Sequence, residues 1–124
     1  MAKGILSCLK KRELIQEAGA HANDLRRLGR EYLDQGRLLE AIELFEAAQD
    51  REGLGLVLAK GLEYGDPFLY RQACKLLKIN PDPADWQKIG EKALADGRYH
   101  QALAAFKFLS DEPRIQEIER LINE

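Results

Sequence analysis

The 124-residue chain is poor in the side chains that usually carry chemistry. It has two cysteines, Cys8 and Cys74, and two histidines, His21 and His100. The cysteines are few and far apart in sequence, which argues against a disulfide framework and for reduced thiols in the cytoplasm. Neither histidine stands at a metal-ligand spacing from a cysteine or from the other histidine. Serine occurs only as Ser7 and Ser110, neither in a nucleophile motif. Gly53 and Gly55 lack the partners of a phosphate-binding loop. No apolar run approaches the roughly 20 residues of a membrane span. The opening MAKGILSCLKKRE has a basic touch, but its apolar run is too short for a signal peptide. Charge of one sign is also missing: 19 Lys and Arg against 21 Asp and Glu leave a net −2, which gives no electrostatic case for nucleic acid. The expectation is a cytoplasmic protein that is not an enzyme, with no cofactor, no metal, no nucleic acid and no membrane contact.

What the chain does have is helical periodicity. Apolar residues make up 45% and charged residues 32%, ordinary for a helical domain, and the length suits one domain that buries roughly two-thirds of its unfolded surface. Leu25 to Ala48, LRRLGREYLDQGRLLEAIELFEAA, reads as two amphipathic helices joined at Gln35-Gly36-Arg37. It returns, altered, at Trp86 to Leu109, WQKIGEKALADGRYHQALAAFKFL. At an offset of 61, Gly29 falls on Gly90, Leu33 on Leu94, Gly36 on Gly97, Arg37 on Arg98, Ala41 on Ala102 and Phe45 on Phe106. A glycine inside a helix costs ~1 kcal/mol against alanine, so Gly29 and Gly90 point to a close neighbouring helix. Gly36 and Gly97 suit a left-handed helix end. Such a unit cannot bury its apolar face alone, so copies of it are expected to stack.

These residues resemble the tetratricopeptide (TPR) repeat, whose pattern runs Trp or Leu, Leu-Gly and Tyr in a first helix, Gly at the turn, then Ala, Phe and Ala in a second. The first copy supplies Leu25, Leu28, Gly29, Tyr32, Gly36, Ala41, Phe45 and Ala48. The last supplies Trp86, Ile89, Gly90, Gly97, Ala102 and Phe106. It departs at Ala93, where the family has Tyr, and at Leu109, where it has Ala, and neither copy has the usual proline after the second helix. The resemblance implies an all-α, TPR-like antiparallel helix-hairpin solenoid of about three repeats over 1–124, with capping helices at both ends.

In chain order, residues 1–21 are expected to form the N-terminal cap, with Ile5, Leu6 and Leu9 as one apolar cluster and Leu14, Ile15 and Ala18 as another. Repeat 1 covers 22–49, its first helix capped by Asn23. Residues 50–80 form a degenerate repeat 2. Asp50 caps its first helix, which is apolar almost all round and is expected to be the most buried. Gly53, Gly55 and Gly61 are read as sites of close backbone approach. Asp66-Pro67 starts its second helix, with Phe68, Leu69, Ala73, Leu76 and Leu77 inward. Pairing Ala73 and Leu77 with Ala41 and Phe45 implies a longer turn here. Asn80-Pro81-Asp82-Pro83 breaks the chain before repeat 3 at 83–110, and 113–123 is the C-terminal cap.

The resemblance also implies a function: a non-catalytic protein–protein interaction module. The family's first helices line a concave groove that takes peptides. Carried over, Asn23, Arg26, Arg27, Arg30 and Leu33 would face or border it from repeat 1, Leu58 and Leu62 from repeat 2, and Gln87, Lys88, Glu91 and Leu94 from repeat 3. Two arginine forks one turn apart could grip a carboxylate or an acidic peptide. The alternatives are that these arginines pair with nearby acids such as Glu31 and Asp34, and that the chain is a self-associating scaffold forming a homodimer through its terminal apolar helices. Trp86 is read as core, and so is Cys74.

Overall fold

Residues 22–124 are described by the structure, a computed structural model. The N-terminal cap expected over 1–21 lies outside the described residues. Among those described there are seven α-helices and no strand: α1 Ala22–Asp34, α2 Leu38–Ala47, α3 Arg51–Tyr64, α4 Pro67–Leu77, α5 Pro83–Ala95, α6 Tyr99–Leu109 and α7 Glu112–Asn123. The chain divides into two compact units between Val57 and Leu58, inside α3.

In the first unit α1 packs on α2. The sequence places Leu25, Gly29, Tyr32 and Leu33 on one side of α1, and all four are buried. Ala41, Ile42, Leu44 and Phe45 answer them from α2. The mid-helix glycine has its reason in this contact: a Cβ on Gly29 would lie 2.6 Å from Phe45 Cε1. In the second unit α5 packs on α6 and α6 on α7. The matching contact recurs 61 residues on, where a Cβ on Gly90 would lie 2.6 Å from Phe106 Cζ. Trp86, Ile89, Gly90 and Ala93 are buried on α5, and Ile115 and Ile118 are buried on α7. Trp86 is core, as its type suggests.

Helices α1 to α6 all stop in the same way. A residue with positive φ stands just past each end: Gly36, Gln49, Gly65, Lys78, Gly97 and Ser110. The next residue then donates its N–H to the carbonyl five residues back. These bonds run Arg37 to Tyr32, Asp50 to Phe45, Asp66 to Gly61, Ile79 to Cys74, Arg98 to Ala93 and Asp111 to Phe106, at 2.8–3.1 Å. This is the Schellman closure, which satisfies carbonyls the helix would otherwise leave open. Helices α3, α4, α5 and α7 start from aspartates, whereas α2 and α6 start from Arg37 and Arg98 without a side-chain cap. Asp66 Oδ1 accepts from Phe68 and Leu69 N–H, Asp82 Oδ1 from Ala84 N–H, and Pro67 and Pro83 follow as first-turn prolines. Asp50 and Asp111, 61 apart, accept likewise from Gly53 and Arg114.

Four expectations for the middle of the chain need correction. The turn at Gly65 is no longer than its neighbours: helix α4 begins two residues after Gly65, as α2 does after Gly36 and α6 after Gly97. In that register Tyr70 stands where Ala41 does and Cys74 where Phe45 does. The residues facing them change in the opposite sense, Gly61 for Tyr32 and Leu58 for Gly29. A Cβ on Gly61 would meet the Tyr70 backbone nitrogen at 3.0 Å, so small and large have exchanged helices at nearly constant volume. The extra length lies instead after Lys78, where residues 79–82 separate α4 from α5. Helix α3 is not the most buried, since Gly53, Leu54, Val57 and Gly61 fill one inward stripe and Leu56, off it, is 37% exposed. On α4 the inward residues are Pro67, Leu69, Tyr70, Ala73, Cys74 and Leu77, while Phe68 faces out. A Cβ on Gly55 would meet nothing within 4 Å, so no close approach occurs there.

Candidate functional site

The first helix of each unit carries the residues singled out for binding. On α1 the heptad-like spacing that buries Leu25, Gly29 and Tyr32 leaves Arg26, Arg27 and Arg30 exposed on the other side. Among the described residues these three arginines line one open surface pocket. Their partners differ. Arg26 Nη1 donates to Asn23 Oδ1 at 3.0 Å, which places Asn23 inside α1 as an acceptor for a side chain. Arg27 Nη2 lies 2.8 Å from Asp24 Oδ1, an exposed pair of little energetic weight. Arg30 reaches out of the helix, to Asp50 Oδ2 at 3.9 Å and Glu52 Oε1 at 3.6 Å.

Asp50 explains why Arg30 is there. It is 8% exposed, and its Oδ1 caps α3 through Gly53 N–H. Its Oδ2 is buried without a hydrogen bond. A buried carboxylate oxygen without a donor is costly, and a guanidinium 3.9 Å away lowers that cost. Arg30 therefore serves the fold, and Arg26 is the arginine of the three with no carboxylate partner among the described residues. The acids that pair with Arg27 and Arg30 are Asp24, Asp50 and Glu52, not Glu31 or Asp34. Leu33 is buried in the hairpin, and so presents little surface to a partner.

In the second unit, Gln87 Nε2 donates to Glu91 Oε1 at 3.0 Å, and Arg114 Nη2 donates to the same oxygen. Arg114 also approaches Glu117. Lys88 is exposed, Leu94 is half-buried, and Leu58 and Leu62 are half-buried against a core of Tyr70, Cys74, Trp86, Ile89 and Ala105. Positions 30 and 91 correspond at the offset of 61 and carry opposite charges, and each pairs with the helix that follows its hairpin. The expected site thus appears as two local faces, Asn23, Arg26, Arg27 and Arg30 in one unit, Gln87, Lys88 and Glu91 in the other.

Two further groups escaped the sequence reading. Arg98 was read only as a turn residue. Its Nη1 donates to the Gly65 carbonyl at 3.0 Å and its Nη2 to the Tyr64 carbonyl at 2.6 Å, and it also binds Gln101 and Asp96. It thus fastens the end of α3 to the turn before α6. Tyr70 Oη donates to Asp85 Oδ2 at 2.8 Å and accepts from Asp82 N–H at 3.1 Å, joining α4 to the start of α5. Burial pushes the Tyr70 hydroxyl and the Cys74 thiol upward, and both stay protonated at neutral pH. A signal that could have marked a third feature is the absence of Asp and Glu from residues 67–81 and 99–110, in a chain with 21 acids. Among the described residues, no group of three or more His, Cys, Asp or Glu is placed to hold a metal ion, and no helix is long and apolar enough to cross a membrane.

No protein-family model, no curated protein and no solved structure matches the chain.

Proposed function

We propose that the chain is a TPR-like helical-repeat protein, a non-catalytic module that binds a peptide or protein partner through the outward faces of its first helices. The observation that carries this reading is the recurrence of one hairpin: helices start at 22, 51 and 83, their partners at 38, 67 and 99, with the same end closures each time. A hairpin repeated in this way leaves apolar sides that successive copies cover, and the surface left over is used for recognition. The helix starts are 29 and 32 residues apart, shorter than the family's 34. In keeping with this reading, Cys74 is a buried thiol held protonated, and His100 is exposed.

The test is an NMR titration of the isotope-labelled chain with a random peptide library, then with its best binders. Shifts in residues 22–34 and 83–95, weakened several-fold by Arg26→Ala and Arg27→Ala, are expected. Shifts confined to other helices would discard these faces as the site. Light scattering reporting a stable mass twice 14.1 kDa would replace the reading with self-association.

A further inference from the structure

Helices α4 and α6 pack side by side in the second unit and share an unusual surface. Neither contains an Asp or Glu, while their outward positions carry Arg71, Lys75 and Lys107, with Lys78 at the end of α4. None of these four cations has an ion pair among the described residues, whereas Arg27, Arg30, Arg98 and Arg114 do. Two phenylalanines stand among them, Phe68 at 59% and Phe108 at 43% exposure. Phe68, Arg71 and Lys75 follow one another at helical spacing along one face. Arg71 reaches across to α6, its guanidinium carbon 5.1 Å from the centre of the Phe108 ring. Phe108 in turn stacks on buried Trp86, centroids 4.5 Å apart and planes 19° apart.

We propose that this face of α4 and α6 is a docking surface for an acidic, amphipathic segment of a protein partner. The inference rests on reading the chain as a protein-binding module, but not on which faces of α1 and α5 are used. Two partly exposed rings beside an arginine and lysines without an ion pair among the described residues have the composition of an interface centre, where aromatic and arginine side chains dominate. The cations call for carboxylates and the rings for aliphatic or aromatic side chains. A helix with acids on one flank and apolar residues on the other offers both. A second copy presenting the same face would set cations against cations. Stacked nucleobases need bare ring faces. Trp86 and Arg71 already lie over the Phe108 ring, so what it offers is edge and rim.

The experiment uses fluorescence anisotropy and NMR with the full chain and three probes: a labelled amphipathic helix of about four turns bearing Glu and Leu, the same peptide with Lys for every Glu, and a polyuridylate of matching length. The Glu peptide is expected to bind, to shift residues 67–79 and 99–109, and to weaken as salt rises. Phe68→Ser should weaken it about tenfold, as should the charge reversal Lys75→Glu with Lys107→Glu, while Arg120→Ala, an exposed cation on α7, leaves it unchanged. Melting curves establish that both variants fold, and the lysine pair is exposed enough to serve even if Phe68→Ser proves damaged. Absence of Glu-peptide binding overturns the proposal, as does equal binding of the Lys peptide. Tighter binding of polyuridylate would make the surface a nucleic-acid site. A concentration-dependent mass abolished by Phe68→Ser would make the occupant a second copy. Binding that maps to α1 and α5 and falls with Arg26→Ala would refute this surface while supporting the earlier one.

Discussion

Replacing Gly90 by alanine sets two effects of known size against each other. Alanine favours an α-helix over glycine by about 1 kcal/mol. The new methyl, however, would sit 2.6 Å from Phe106 Cζ and 2.7 Å from Cε2. Carbon atoms prefer roughly 3.5–4 Å, so the ring must retreat by about 1 Å. It has nowhere to go: Phe106 is fully buried, in one cluster with Ala93, Ala102, Ile115 and Ile118. Overpacking of this kind costs about 1–3 kcal/mol, which leaves a net loss near 1 kcal/mol. Gly55→Ala supplies the control, because it gains the same helix preference and meets nothing within 4 Å. Thermal unfolding by circular dichroism should therefore show Gly55→Ala melting above the parent and Gly90→Ala below it, with the two variants separated by roughly 8 °C or more. Adding Phe106→Leu to Gly90→Ala should recover part of the loss, since the shorter side chain vacates the methyl's position. If Gly90→Ala melts as high as Gly55→Ala, the helix contact does not require glycine, and the packing account of the repeat is wrong.

Three further outcomes follow from the same geometry. Arg98→Ala removes charged donors from the Tyr64 and Gly65 carbonyls and should cost about 2 kcal/mol by denaturant unfolding; Arg98→Lys should rescue little, because a single ammonium cannot reproduce the fork. Arg30→Ala should destabilise by about 1–2 kcal/mol, since it leaves the Asp50 carboxylate without its cation, whereas Arg27→Ala should stay within about 0.5 kcal/mol; equal effects would deny Arg30 its role. Cys74 and Tyr70 both ionise later in the folded chain than in the unfolded one, so their contribution is complete below the ordinary thiol value of 9.0 and is lost as pH rises through the folded values. Melting temperature should therefore fall above about pH 9, and Cys74→Ala should remove the earlier part of that fall; a flat profile to pH 11 would contradict it.

The sequence was legible where one residue type answers one backbone demand. Asp66-Pro67 and Asp82-Pro83 announce helix starts, and Gly36, Gly65 and Gly97 announce turns, because few other residues suit those positions. The match at 61 residues was visible because Gly29 with Phe45, and Gly90 with Phe106, kept the same residue on the same helix. The middle copy was misaligned because there the large residue moved to the other helix. Tyr70 and Gly61 preserve the volume of Ala41 and Tyr32, but a reading that looks for alanine at the contact finds Ala73 and shifts by three. The candidate site was hidden for a different reason. Arg30 finds its carboxylates twenty residues away, at the start of another helix, and Arg98 finds carbonyls more than thirty residues back. Such partners are set by the packing and not by the local sequence.

The end closures show what the three hairpins share. All six use a left-handed residue followed by the same bond to the fifth residue back, yet only the turns inside hairpins use glycine, while the exits use Gln49, Lys78 and Ser110. A left-handed conformation costs a non-glycine residue about 1 kcal/mol, so these exits are held by what surrounds them. The residue after each exit leads directly into the next helix in two of three cases, through Asp50 and Asp111, whose carboxylates accept the N–H of the third residue on. One Schellman bond and one aspartate cap thus form a single joint that both ends one helix and starts another. The third exit, at Lys78, lacks that aspartate and is followed by Ile79-Asn80-Pro81 before Asp82 resumes the role. Those three added residues set the exposed Ile79 at the end of α4, beside Lys78 and the basic face. The break in the repeat's joint therefore falls beside Phe68, Phe108 and four cations without an ion pair among the described residues, as expected if departure from the repeat at this point serves recognition rather than packing.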